Sequence, residues 1–269
     1  MAEHSRELVL LNTHSSFRYG HNVTNENLFF PIDEGLGEIQ VSLRPGAYTL
    51  TDFAVELARA LNEFSEIENN YETSVDYDTG FITVSGDSAF DILLGTSSIL
   101  AISVYSLAGF TTSSDLTGAT SYEGDSRSGS IYYTQFKIQG YVSLEEQESL
   151  AEASINVPAT GAFEEVISYG SERIAEGKFT YITDIFQADG APIRNRPNGK
   201  AEFIDLLRAL TRKYPVEFCP DESDQLTFNK LILSSASGNS KGTGYKLKEL
   251  TSKNLSNYFE IDLKFREIQ

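Results

Sequence analysis

The stretch Leu43-Arg44-Pro45-Gly46-Ala47-Tyr48-Thr49-Leu50-Thr51-Asp52-Phe53 constrains the fold more than any other part of the chain. A Pro-Gly turn closes a segment of alternating apolar and polar residues. Thr49 then stands three residues before Asp52, a variant of the capping box that opens helices. The spacing predicts a helix to about Phe64. Phe53, Leu57, Leu61 and Phe64, flanked by Ala54, Val55, Ala58 and Ala60, recur every three to four residues, and such a stripe has to be buried, here against a sheet. The sheet is visible on both sides of the helix. Ile39, Val41 and Leu43 alternate before it, and Tyr71, Thr73, Val75 and Tyr77 after it. An Asp78-Thr79-Gly80 turn then returns the chain through Phe81 and Thr83, with Ile82 and Val84 opposite, which is a hairpin signature.

The rest of the chain reads as more strands with one further helix. Glu7–Leu11 is a short strand, and the polar residues 12–27, with Arg18, Tyr19 and Gly20, read as an irregular loop or arm. Leu28-Phe29-Phe30-Pro31-Ile32 suits an edge strand, because proline removes a ladder donor. Phe90–Gly95 is a separate short strand. Residues 96–107 allow a short helix with Ile99, Leu100, Val104 and Leu107 inward, and the Gly/Ser/Thr/Asp-rich residues 109–129 form a loop, mobile or docked on a partner.

Ile131–Val142 alternates as a long strand, and Ser143-Leu144-Glu145-Glu146 fits a capping box before a short acidic connector helix to about Ala153. A long β segment follows over 163–183, with Ile174, Phe179, Tyr181 and Ile185 inward and with bends at Gly170 and Gly177. Residues 188–199 form a loop carrying Arg194 and Arg196. A second helix runs from Lys200 to about Tyr214, buries Phe203, Leu206, Leu207 and Leu210, and stops at Pro215. Val216–Pro220, Leu226–Ser234, Tyr245–Leu250 and Tyr258–Ile268 are strands, the last alternating through Phe259, Ile261, Leu263 and Phe265.

The expected fold is therefore α+β: two mainly antiparallel β-sheet domains, each with one principal flanking amphipathic helix. The expected division is 1–142, a connector over 143–160, and 161–269.

Charge narrows the function classes. Of the formal net charge of −18, residues 1–140, with 6 basic and 19 acidic side chains, hold −13. So acidic a surface repels phosphate, which argues against sequence-independent nucleic-acid binding. No apolar run approaches membrane-spanning length, and Met1–Arg6 opens no export signal, so a soluble protein made in the cytoplasm is expected. The one cysteine, Cys219, reads as a small buried hydrophobe beside Phe218.

No catalytic, cofactor-binding or metal-ligating residue is assigned. His4, His14 and His21 match no zinc template and are expected to be exposed. Paired acids such as Glu145 and Glu146, Glu164 and Glu165, or Asp76 and Asp78 are unavoidable among 39 carboxylates, so they do not by themselves signal a glycosidase. Asp221-Glu222-Ser223-Asp224 lacks the glycine and distal glutamate of a calcium loop. Gly238–Gly244 lacks nucleotide-binding spacing and reads as a hairpin tip whose neighbours Lys241, Lys246 and Lys248 suit another subunit's acidic face.

The order of these motifs over about 39–110 (Leu43–Thr49, the helix ending Ala60-Leu61-Asn62, the hairpin with its Asp78-Thr79-Gly80 tip, Phe90-Asp91-Ile92-Leu93 and Ala108-Gly109-Phe110) resembles a module of structural proteins from tailed bacteriophages and other viruses. The second half, through Ser168–Arg173, the helix before Pro215 and the closing Tyr258–Arg266 strand, resembles phage tail-tip or neck proteins more loosely. The resemblance implies a non-enzymatic distal-tail or baseplate adaptor in the virion tail. It further implies a homo-oligomeric ring, six subunits fitting the family best, that contacts other tail proteins; no cofactor, specific nucleic-acid binding or membrane insertion is expected. Neck, tail-terminator and decoration roles belong to the same class. A different class, a carbohydrate- or receptor-binding β module, would use exposed Tyr19, Tyr122, Tyr132 or Tyr133 as stacking platforms.

Overall fold

The computed structural model describes residues 15–133, 140–152, 166–182, 200–220, 228–236, 246–249 and 259–268. In chain order the elements are β1 (Ser16–Tyr19), β2 (His21–Val23), β3 (Phe29–Asp33), β4 (Glu38–Ser42), β5 (Gly46–Tyr48), α1 (Leu50–Phe64), β6 (Tyr71–Asp76), β7 (Phe81–Ile92), β8 (Leu116–Glu123), β9 (Ser130–Tyr133), β10 (Gly140–Glu152), β11 (Val166–Ile182), α2 (Lys200–Thr211), β12 (Val216–Cys219), β13 (Asn229–Ala236), β14 (Lys248–Glu249) and β15 (Phe259–Glu267). The structure is mostly antiparallel sheet with two α-helices.

The smaller main sheet runs β4-β3-β7-β6, with β8 also on β7, and the short pair β2-β5 lies beside it. α1 begins where the sequence says. Thr49 Oγ1 accepts from the Asp52 amide at 3.1 Å, and Phe53, Leu57, Ala60 and Leu61 are fully buried beneath the helix. Val55 and Phe64 fall on its exposed side. Glu56, buried on the same helix, accepts from the Arg44 amide at 2.7 Å and so ties the Pro-Gly turn to the helix. The 71–84 hairpin forms, with Val75 opposite Ile82 and Thr73 opposite Val84, so that Ile82 and Val84, rather than Phe81 and Thr83, share the buried face of Tyr71.

The larger sheet has the order β10-β11-β15-β13-β12-β1-β9, with β14 pairing β15. α2 covers it with Phe203, Leu206, Leu207 and Leu210 buried, and Phe179, Ile261, Leu263 and Phe265 complete that core. Cys219 is buried beside Phe218, and α2 ends at Thr211 rather than near Tyr214, where Lys213 turns into a left-handed conformation (φ 62°). In β11 the pairing to β10 slips by one residue where Tyr169 and Gly170 face Ser149, a bulge at the first expected glycine bend. Gly177 keeps regular register on both sides.

Several sequence expectations are corrected. Residues 16–19 are no arm: β1 is wholly buried between β12 and β9, with Phe17 packed on Phe179, Phe218 and Phe265. β3 is not an edge. It lies between β4 and β7, and Pro31 is tolerated because cross-strand pairing to β7 begins only at Ile32, while the Pro31 carbonyl accepts from the Leu93 amide. Phe90–Ile92 belongs to the single long strand β7. Residues 96–107 give one 3₁₀ turn (Leu100–Ile102) with Leu100 exposed, and residues 116–123 of the supposed loop form β8 on β7. Residues 143–152 are strand, not connector helix, because pairing with β11 overrides the local capping signal. Glu7–Leu11, Ile185 and the Arg194/Arg196 loop lie outside the described residues.

Candidate functional site

Two places concentrate polar geometry, the junction between the sheets and the acidic turns of the smaller sheet, and the backbone pairing of β10 and β11 marks a third.

At the junction the larger sheet grips the start of α1. The Glu217 carboxylate accepts from the Thr51 amide at 3.0 Å, at the positive end of the helix, and Lys230 pairs with Asp52. Arg18, almost fully buried and opposite Glu217 in register, donates from Nη2 to the Tyr77 carbonyl at 2.7 Å. Its guanidinium lies 4.4 Å over the Phe228 ring, which stacks on Tyr77 with centroids 4.5 Å apart. Thr51 and Tyr77 share a hydroxyl hydrogen bond of 2.8 Å. The turn, cap and helix that dominate the sequence are thus also the docking point of the second sheet.

The acids of the smaller sheet pin turns. Asp33 Oδ1 accepts from the Gly35 and Gly37 amides at 2.6 and 3.0 Å, and Asp76 accepts from the Asp78 amide and the Thr79 hydroxyl. Asp115 accepts from the Thr96 hydroxyl and from the Gly95 and Thr96 amides, which hold its carboxyl below its usual range, the hydroxyl bond foremost. Asp125 does the same for Thr111 and Thr112. The pair Asp76 and Asp78 therefore builds a hairpin tip, and Glu145 and Glu146 lie within β10. Among the described residues no group of three His, Cys, Asp or Glu is placed to hold a metal ion.

The supposed stacking platforms are structural. Tyr19 and Tyr132 are buried in the large core, and Tyr122 packs on the small core with its hydroxyl donating to the Phe90 carbonyl at 2.8 Å. Tyr133 is half-buried in β9. His21 is likewise buried, not exposed, with Nε2 3.0 Å from Ser128 Oγ. The alternation Phe17, Tyr19, His21, Val23 was the signal available for these positions. His4, His14, Glu164, Glu165, Asp221–Asp224 and Gly238–Gly244 lie outside the described residues.

The β10–β11 pair reaches beyond the rest of its sheet. β11 pairs with β15 only from Ile174 onward, so over residues 166–173 its partner among the described strands is β10 alone. Glu146–Glu152 and Val166–Arg173 thus form a two-stranded ribbon about 25 Å long at the usual rise per residue.

No protein family's sequence profile matches the chain, and no curated protein matches it. Among solved structures it is similar to the selenomethionine-labelled mavirus penton protein, at 9% identity over 95% of this chain and 87% of that one, with a TM-score of 0.27. An overlay that loose carries neither fold nor function across. No described helix is long and apolar enough to cross a membrane.

Proposed function

We propose that this chain is a non-enzymatic structural protein of a virion, a subunit of a homo-oligomeric ring that joins a phage tail tube to tail-tip proteins. The ribbon of β10 and β11 is the observation that carries the reading. A two-stranded ribbon is marginal in water by itself, and this one, with Glu146, Glu148 and Glu152 in one strand, has weak intrinsic strand propensity. Such an extension gains its stability from a surface it docks on, and a neighbouring subunit supplies one in a closed assembly. The motif order over 39–110 supports the viral class. Charge agrees: residues 20–129 carry 17 acidic and 3 basic side chains, a surface along which DNA slides without adhering.

Mass photometry and negative-stain imaging of the purified full chain test the proposal. The expected result is a closed ring of identical subunits that binds a tail-tube or tail-tip protein. A particle that stays monomeric at every concentration and with every tail protein contradicts it.

A further inference from the structure

Among the described residues two chain crossings join the sheets, and His21 sits where they meet. The first passes from β1 to β2 through Gly20 (φ 102°). The second leaves β8 and enters β9 through Gly129 (φ 66°). The His21 ring is buried, with its centroid 5.5 Å from that of Phe53 and Nε2 3.0 Å from Ser128 Oγ. Ser128 Oγ gives its single hydrogen to the Leu107 carbonyl at 2.7 Å, so toward His21 it accepts. Nε2 therefore carries the ring proton and Nδ1 is bare. Nδ1 has no hydrogen-bond partner among the described residues. The packing leaves little slack, since a Cβ on Gly129 would lie 2.4 Å from His21 Cε1.

We propose that His21 is an acid-sensitive latch between the sheets. Neutral, it ties the two crossings together through Ser128. Protonated at Nδ1, the buried ring carries a charge and an N–H with no partner among the described residues, in a site closed by Phe53 and Gly129, and the crossings part before either core fails.

The ionisable groups around it are engaged elsewhere. Tyr48, opposite His21 on β5, donates its hydroxyl to the Arg44 carbonyl. On α1, Asp52 is held by Thr49 and Lys230, and Glu56 by the Arg44 amide and Arg59. On the second crossing, Asp125 caps Thr111 and Arg127 donates to the Thr79 carbonyl. Tyr19 donates to the Glu202 carbonyl, and Tyr214 accepts from Asn22. Burial alone lowers the ring's pKa, from 6.5 to about 4, against a smaller opposing pull from the Ser128 main chain. The folded value lies below the unfolded one, so the latch is fully closed above 6.5 and weakens as pH falls toward about 4.

Long-range proton–nitrogen spectra of the imidazoles in the full chain and in His21→Gln, with hydrogen exchange of peptides covering 16–23 and 124–133, decide this. The ring signal missing from His21→Gln is expected in the Nε2–H form, titrating well below its ordinary value. Crossing peptides should open about tenfold more at mildly acid than at neutral pH in the native chain, and not in the variant. If His21→Gln does not fold, the double variant His4→Gln, His14→Gln leaves one ring to observe. An Nδ1–H tautomer, an ordinary titration, or equal opening of both proteins overturns the latch.

Discussion

The two main sheets are built in opposite ways. The smaller draws every strand from residues 29–123, and its neighbours in space are mostly neighbours in sequence. The larger collects β1 from residue 16, β9 from residue 130 and β15 from residue 259, so although β10–β11, β12–β13 and β14–β15 pair locally, the contacts of β1 with β12, β9 with β1, β11 with β15 and β13 with β15 close longer loops. A core assembled locally leaves its pattern in one stretch of sequence. A core assembled from distant pieces leaves only fragments.

The contrast breaks most readily at Phe17. This fully buried ring touches three other phenylalanines of the large core, so Phe17→Ala is expected to cost about 3–5 kcal/mol in urea unfolding. Exchange protection should fall in β12 and β13 rather than in β6 and β7. An unchanged midpoint would return residues 16–19 to the status of an arm.

The next effect probes the seam. Between its ordinary value and about 4, the lowered His21 pKa removes about 3 kcal/mol of stability as pH falls. Thermal melts across that range should show the loss in the native chain and its absence in His21→Gln.

Within the local sheet, Thr49→Ala removes the helix cap and should cost about 1 kcal/mol, read by the same unfolding assay. Smallest of all, Val55→Lys on the exposed side of α1 should shift stability by less than about 0.5 kcal/mol. A larger loss there would mean that this side of the helix is covered in solution.

The sequence was legible where partners lie close along the chain. Thr49 and Asp52, the Ile39-Val41-Leu43 alternation and the Asp78-Thr79-Gly80 turn each declare their structure within a few residues. β1 was harder to read: Phe17, Tyr19, His21 and Val23 alternate, but Ser16 and Arg18 between them are buried too, on a strand covered on both faces, and as polar residues they suggest a solvent-exposed arm. β8 was masked by its small polar residues, and nothing local marks Asp115 and Asp125 as clamps across 13 to 20 residues. In β10 a local helix cue lost to pairing with a strand about 30 residues away. No chemistry was assigned from the sequence, and the polar geometry on view serves docking of the sheets and the shape of turns.

The most direct test of the assembly role is to excise the ribbon. Glu145 and Ile174 face each other in register, so replacing residues 146–173 by Asn-Gly closes a tight hairpin at that pair and leaves the rest of the sheet in place. Mass photometry beside a thermal melt reads the outcome. A monomer with an unchanged melting temperature is the predicted result, and a ring that persists without the ribbon would contradict it.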